Sequence, residues 1–275
     1  MSDFLIGGDL PVRRIGFGAM HLSGDPRDTA ITVARRAVEL GVNLIDTAYL
    51  YGGGANEELL AEALHPYPQD LVLTTKVGVA RTGPQGEWKI DGRPAVLREQ
   101  VDGALRRLRT DRIELLQLHR IDPETLLADQ VGTLAELRAA GKIGRIGLSE
   151  ISVTELDQAR SIVDIASVQN RYNVLDREHE PVLDACARAG IAFLPWRPVA
   201  AGSAGAPGSP DVAGRVAAVA AELDATATQV ALAWLLGHSP VILPIPGTTR
   251  VAHLEENVAA GRIRLSDEQQ ARLSS

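Results

Sequence analysis

The order of its apolar runs limits what this 275-residue chain can fold into more than any single motif does. Runs rich in Val, Ile and Leu cover Arg14–Gly18, Val42–Asp46, Leu71–Lys76, Ile113–His119, Ile143–Ser149, Ile165–Gln169, Ile191–Trp196 and Val241–Pro244. They lack the polar alternation of half-exposed strands, as expected of strands buried on both faces of a parallel sheet. Helical segments lie between them, among them Asp28–Leu40, Ala95–Arg109, Thr125–Ala140 and Glu178–Ala189. Gly41, Gly141 and Gly190 stand just before the next strand, where a left-handed residue commonly stops a helix. About eight such β-then-α units, with no composition break to suggest a linker, predict a (β/α)8 TIM barrel as a single domain over residues 1–275. The main rival, an open doubly wound sheet, lacks its dinucleotide fingerprint. Gly52-Gly53-Gly54-Ala55-Asn56-Glu57 has glutamate where the last glycine belongs and follows no strand directly.

Around this frame, Phe4–Val12 reads as a β-hairpin preceding the first barrel strand. The Gly/Ser/Pro/Ala-rich stretch Ala200–Pro210 predicts a mobile loop after the seventh strand, and Ala80–Pro94 a second long loop after the third. Both belong at the carboxyl end of the strands, where barrel enzymes carry their substrate loops.

Composition narrows the function classes. Hydrophobic residues make up 45% of the chain, enough to fill a large core. A formal net charge of -7 argues against a broad nucleic-acid or anionic-membrane surface, though a small cationic phosphate pocket is compatible with it. The single cysteine, Cys186, excludes an internal disulfide framework and reads as a buried bystander in a reducing cytosol. The start, Met1-Ser2-Asp3-Phe4, shows no basic region leading into an apolar run, and no apolar stretch approaches the roughly 18 residues of a spanning helix. The expectation is a cytoplasmic protein with neither nucleic-acid nor membrane partners.

Three polar residues close otherwise apolar strands: Asp46, Lys76 and His119. Strand ends at the top of a barrel converge on one bowl, so these side chains can meet despite their separation. Tyr51 lies just beyond Asp46, near enough to fold over the same bowl. Taken singly, a strand-end Asp or Lys is often a structural ion pair, and a lone His a structural hydrogen-bonder. An acid, a phenol, an ammonium and an imidazole at adjacent strand ends are far less readily an accident when taken together. A phenol of ordinary pKa about 10 is a poor acid unless a neighbouring cation lowers that value. Lys76 supplies the cation, Asp46 holds it, and His119 can donate a hydrogen bond to an oxygen of a bound ligand. Tyr49 is the competing phenol. No HExxH, CxxC or GxxxxGK[ST] occurs, so zinc and P-loop chemistry have no support.

Several segments together resemble the aldo-keto reductase family over nearly the whole chain. They are Gly41–Gly52 (GVNLIDTAYLYG) with Asn56-Glu57, Thr74–Val77, Leu115–His119, Gly141–Ser149 (GKIGRIGLS), Ser167–Asn173 (SVQNRYN), and Pro244–Gly247 with Leu254–Asn257. Within the family the chain looks similar to bacterial proteins related to pyridoxal reductases. The resemblance implies a catalytic tetrad of Asp46, Tyr51, Lys76 and His119. It implies reduction of an aldehyde or ketone, a small-molecule carbonyl substrate, by hydride from a nicotinamide cofactor.

The resemblance also places that cofactor. Ser149, Glu150 and Gln169 fall at the nicotinamide carboxamide, beside Asp46, and Trp196 at the aromatic that stacks on the ring. Gly18 and Met20 border the cofactor after the first strand, and Arg197, Val199 and Gly202 border the pyrophosphate. Gly247, Thr248, Thr249 and Arg250 open the last barrel helix, whose amino terminus is a ready phosphate site. His253 lies near the 2′-phosphate, and Glu256 and Asn257 fall at the adenine. The chain departs from the family at Glu150, usually asparagine, and at Gly247 and His253, which replace a lysine and an arginine. Arg250 can compensate for that lost charge, so NADPH is expected in preference to NADH. Two other function classes fit the same fold. One is a cofactor-binding regulatory or sensor subunit with little turnover, and the other a lyase or aldolase using Lys76 as a Schiff base. Substrate identity and oligomeric state stay open.

Overall fold

The computed structural model describes residues 3–24, 26–83, 87–199 and 210–275. The chain opens with an antiparallel hairpin of β1 (Asp3–Ile6) and β2 (Leu10–Arg13), turned at Gly7 and Gly8, whose φ values of 65° and 87° suit glycine. Seven strands then form one parallel sheet. In chain order they are β3 (Phe17–Gly18), β4 (Leu44–Asp46), β5 (Val72–Val77), β8 (Ile113–Leu118), β9 (Ile143–Ser149), β10 (Ile165–Gln169) and β11 (Ala192–Phe193), each beside its predecessor. A small antiparallel pair, β6 (Val79–Arg81) and β7 (Trp88–Ile90), interrupts the series after β5. This hairpin replaces the long loop expected at Ala80–Pro94, where Pro94 already begins a helix. The loop expected at Ala200–Pro210 lies outside the described residues, apart from Pro210 at the start of a helix.

The eighth run, Val241–Pro244, is not a regular strand, yet it closes the barrel. Phe193 N–H donates to Val241 O at 2.9 Å and Leu243 N–H to Phe193 O at 2.8 Å on one side. On the other, Gly16 N–H donates to Pro244 O at 2.9 Å and Gly18 N–H to Pro246 O at 3.2 Å. Pro244 and Pro246 have no N–H to return, so this seam is held from the carbonyl side alone. The seam is also tight. A Cβ on Gly18 would stand 2.7 Å from Ile245 O, and one on Gly247 would stand 2.8 Å from Gly18 O.

Helices alternate with these strands: α1 (Arg27–Glu39), α2 (Ala55–Leu64), α3 (Pro94–Leu108), α4 (Leu127–Ala139), α5 (Val153–Arg160) and α6 (Glu180–Ala189). After β11 come α7 (Pro210–Glu222), α8 (Ala227–His238), α9 (Val251–Ala259) and α10 (Asp267–Ser274). Ser152 with Glu155, Thr226 with Gln229, and Ser266 with Gln269 form capping boxes that fix the starts of α5, α8 and α10. Gly41, Gly141 and Gly190 take φ values of 85°, 78° and 67°, as expected of helix stops. Cys186 is buried on α6, and burial pushes its thiol up to about 12.

Two apolar layers follow from this plan. Strand residues such as Ile146 and Leu148 share one buried apolar cluster with Leu134 of α4 and Leu156 of α5. Inside the barrel, Leu44, Val72, Leu115, Ala166, Ala192, Leu194 and Leu243 pack with Ile6 and Val12 of the hairpin. The hairpin thereby plugs the end where the strands begin. Polar side chains are left to gather at the other end, where the strands finish. Among the described residues no single helix is long and apolar enough to cross a membrane.

Candidate active site

Asp46 is the last residue of β4, Lys76 the penultimate residue of β5, and His119 directly follows β8. Because β4 pairs with β5 in register, Asp46 beside Thr74, the two side chains rise side by side from the barrel floor. Lys76 Nζ donates to Asp46 Oδ2 at 2.6 Å, to Thr47 O at 2.9 Å and to Tyr51 Oη at 3.3 Å. The His119 ring stands edge-on to Tyr51, with centroids 6.2 Å apart. All four residues expected from the sequence therefore meet. Tyr49 does not join them: its ring lies under the Arg107 guanidinium, 5.1 Å from its centre, and is not on the wall of the cavity around Tyr51.

The turn that carries Tyr51 is held from below. Thr47 Oγ1 donates to Asn56 Oδ1 at 2.6 Å, and Asn56 Nδ2 donates to Ala19 O at 2.8 Å. Glu57, fully buried, accepts from Thr75 Oγ1 and from Arg107 Nε, each at 2.6 Å. The Asn56-Glu57 pair is thus a brace for the Tyr51 turn. Gly54 has φ 96°, and a Cβ there would lie 2.4 Å from Arg107 Nε, so the brace and the glycine turn require one another.

Asp46 Oδ1 accepts from Gln169 Nε2 at 2.9 Å and from Gln117 Nε2 at 3.2 Å. Gln117 was not expected from the sequence. Its signal was an amide inside the apolar run Leu115-Leu116-Gln117-Leu118, since a buried amide needs partners.

These contacts set the protonation states. Burial pulls the Lys76 ammonium down, but Asp46 and then Tyr51 outweigh it and hold it above the ordinary lysine value. His119 is pushed down to about 2, first by burial and then by Lys76 and Arg120, so its ring is neutral and keeps one N–H to donate. Tyr51 corrects the expectation of a lowered phenol. Lys76 does pull it down, but burial outweighs that pull, and the group stays above 10 and protonated.

Above this cluster opens a cavity of about 730 Å³. Gly18, Asp46, Ser149, Gln169 and Gly247 line it from the strand ends and the seam. Met20, Trp196, Arg197 and Val199 line it from the loops, with Trp196 just beyond β11 and bridged to Arg171. Gln169 spends its amide N–H on Asp46 and, at 3.4 Å, Gln117, which leaves Oε1 as the acceptor it can offer a ligand. His21, Arg120, Arg171 and Asn173 also line the cavity and were missed. Arg120 was the legible one, a cation directly after His119 at a strand end.

Glu150 makes contacts that the sequence did not suggest. Its φ is 55°, and its carboxylate turns to accept from the Arg171 backbone N–H at 2.9 Å and from the Trp196 indole N–H. It is not among the residues on the cavity wall, and its bond to the indole helps fix the Trp196 ring. Thr248, Arg250, His253, Glu256 and Asn257 are likewise not on the wall of the central cavity. Thr249 and Arg250 line a second, shallower groove of about 500 Å³ between α1 and the start of α9. Arg250 and His253 are exposed, and Asn257 is buried. Gly202 lies outside the described residues.

Residues 14–275 match the sequence pattern described as the Aldo/keto reductase family. An uncharacterized oxidoreductase of Schizosaccharomyces pombe is 45% identical over 273 residues, which cover 97% of this chain and 87% of that one. The pyridoxine 4-dehydrogenase of Escherichia coli is 41% identical over 274 residues, covering 95% of this chain and 93% of that one. Among solved structures, an aldo/keto reductase from Klebsiella pneumoniae in complex with NADP and acetate superposes with a TM-score of 0.85. It is 26% identical, over 98% of this chain and 93% of that one.

Proposed function

We propose, from the premise that this chain belongs to the aldo/keto reductase family, that it reduces an aldehyde or ketone to an alcohol with NADPH, and that Tyr51 gives the proton. The observation that carries this reading is the position of Lys76 Nζ, shared between the Asp46 carboxylate and the Tyr51 hydroxyl beside a neutral His119. That set of donors matches the needs of a carbonyl oxygen acquiring negative charge and then a proton.

The residues present suit the cofactor. The cavity floor at Gly18 and Gly247 carries no side chain, and a Cβ at either position has no room, which keeps backbone open to a ligand. Ser149 Oγ and Gln169 Oε1 would hold the carboxamide, Trp196 would cover the ring, and the start of α9 with Arg250 would receive phosphate. When bound, the reduced nicotinamide supplies hydride to the carbonyl carbon. The chain does the rest. His119 donates its ring N–H to the carbonyl oxygen and orients it. Tyr51 is protonated in the resting site and gives its Oη proton to that oxygen. Lys76 then faces a phenolate, and Asp46 keeps Lys76 charged and in place. A charged Lys76 is a poor Schiff-base nucleophile, so the lyase reading loses its key residue. The phenolate regains a proton from water before the next turnover.

A pyridoxal-like substrate is supported by the Escherichia coli relative that acts as a pyridoxine 4-dehydrogenase. A panel of aldehydes, ketones and pyridoxal, each assayed with NADPH and NADH by absorbance, tests the function. Turnover of at least one carbonyl, faster with NADPH, is the expected result. Tight cofactor binding without turnover of any of them would instead favour a sensor subunit.

A further inference from the structure

Three arginines line the central cavity, and they differ in what balances their charge. Arg171 Nε lies 2.7 Å from Asp176 Oδ2. Arg197 is exposed, its guanidinium 5.8 Å from the centre of the Trp196 ring. Arg120 is partly buried and has no carboxylate within ion-pairing distance among the described residues. Its Nη1 donates to His119 O at 2.6 Å and reaches Ser149 Oγ at 3.4 Å. Those bonds spend one nitrogen on neutral oxygens and fix the guanidinium beside the reacting groups. It stands close enough to act electrostatically on both Tyr51 and His119. Nη2 and Nε have no partner among the described residues. Glu150, the nearest source of compensating charge, turns its carboxylate to Trp196 and the Arg171 backbone.

A guanidinium partly withdrawn from water with no carboxylate paired to it is costly, and that burial pulls its pKa down. A cation kept in that state beside catalytic groups is best explained by an anion that arrives with the ligand. We infer that Arg120 determines specificity by receiving an anionic oxygen, carboxylate or phenolate, carried by the carbonyl substrate. This inference rests on the proposed reductase function. The planar fork of the guanidinium suits such oxygens, and its place next to His119 puts them near the carbonyl being reduced. Arg120 thereby selects aldehydes with a neighbouring negative charge over neutral ones of the same shape. The nucleic-acid and lipid anions disfavoured by the overall charge of the chain do not enter, since this cation lies inside a cavity.

The test compares each anionic substrate with its neutral isostere in the same enzyme. Ortho-, meta- and para-formylbenzoate are set against their methyl esters, and hydroxybenzaldehydes above their phenol pKa against methoxybenzaldehydes. The first arm reads carboxylate, the second phenolate. In the native protein kcat/KM should favour at least one anionic partner by roughly ten- to a hundredfold, the scale of a charge-assisted hydrogen bond. In Arg120→Gln that ratio should collapse toward one, and Arg120→Lys should retain part of it. Circular dichroism and NADPH titration check that both variants fold. No anionic preference in the native protein, or the same ratio in Arg120→Gln, overturns the inference. So does a loss of NADPH affinity in Arg120→Gln with the ratio intact, which would assign Arg120 to the cofactor. If no aldehyde is reduced at all, the reductase function fails, and binding then decides the inference separately. Carbamoylbenzoates, titrated by calorimetry into the protein with NADP+, should bind native protein more tightly than the corresponding benzenedicarboxamides. In Arg120→Gln that difference should vanish, and its persistence would overturn the inference.

Discussion

Replacing Asp46 by asparagine keeps the shape of the side chain and removes its charge, which isolates what the carboxylate does for Lys76. Oδ2 lies 2.6 Å from Nζ, with both side chains almost out of solvent. At an effective dielectric of about 20, unit charges at that separation attract by roughly 6 kcal/mol. Desolvation offsets part of this, and removing one partner of a buried pair costs about 3–5 kcal/mol. Burial alone pulls Lys76 down, and Asp46 is the first of the groups that hold it up. In Asp46→Asn the amine is therefore expected to shed its proton, which relieves part of the stability cost and transfers the loss to catalysis. Nζ stands 3.3 Å from Tyr51 Oη, so in the proposed mechanism a cation there would stabilise the nascent phenolate by roughly 5 kcal/mol before screening. Turnover should fall on the order of 10²–10⁴-fold, the range of a general-acid contribution. Single-turnover absorbance with saturating NADPH measures it, and thermal melting reports the smaller stability loss. In a Lys76→Met background the same change should cost little more, because Asp46 acts through Lys76. Turnover within about tenfold of native, or fully additive losses in the double variant, would refute the reasoning.

Glu150→Ala frees the Trp196 indole and should weaken NADPH binding while shifting tryptophan emission, whereas Glu150→Gln keeps an acceptor and should do much less. Equal effects would remove Glu150 from its role in orienting the ring. Arg250→Ala should weaken NADPH binding by on the order of 1.5–3 kcal/mol and leave NADH binding nearly unchanged, measured by titration. Matching losses would show that Arg250 does not read the extra phosphate. Because His119 lies at about 2 and Tyr51 above its ordinary value, neither group titrates between about pH 5 and 9. The reduction rate at saturating NADPH should stay level there and decline only in alkali as Tyr51 loses its proton, and a limb near the ordinary imidazole pKa would contradict that.

Legibility followed the physics of each element. Strands buried on both faces advertise themselves as apolar runs, so Val72–Val77 and Ile113–Leu118 were plain, and the polar residues at or near their ends stood out against them. The seam at residues 241–246 was harder, because its prolines break the ladder while its carbonyls still close the barrel. The β6–β7 hairpin was hidden in a Gly/Pro-bearing stretch whose strands are only three residues long. At the site, Asp46, Tyr51, Lys76 and His119 were legible, since each is a polar residue at a strand end or in the turn beyond it. Gln117 and Glu150 were not, because their roles depend on which way a side chain turns. Gln117 faces the barrel interior toward Asp46, and Glu150 adopts a left-handed backbone that swings its carboxylate behind Trp196. The direction of the Tyr51 shift was also hidden, as it is the balance between burial and a cation whose distance only the fold sets.

The most direct measurement is turnover of Tyr51→Phe beside Tyr49→Phe under saturating NADPH, with cofactor affinity determined for both. Removing the Tyr51 hydroxyl deletes the proposed proton donor and leaves the ring, the Lys76–Asp46 pair and the cavity in place. Tyr51→Phe should lose most of its turnover, on the order of a hundredfold or more, with little change in NADPH binding. Tyr49→Phe should keep turnover within about threefold of native, less than about 1 kcal/mol of barrier, because its ring lies against Arg107 and off the cavity wall. Native-like turnover in Tyr51→Phe, or its loss in Tyr49→Phe alone, would contradict the assignment of the proton donor.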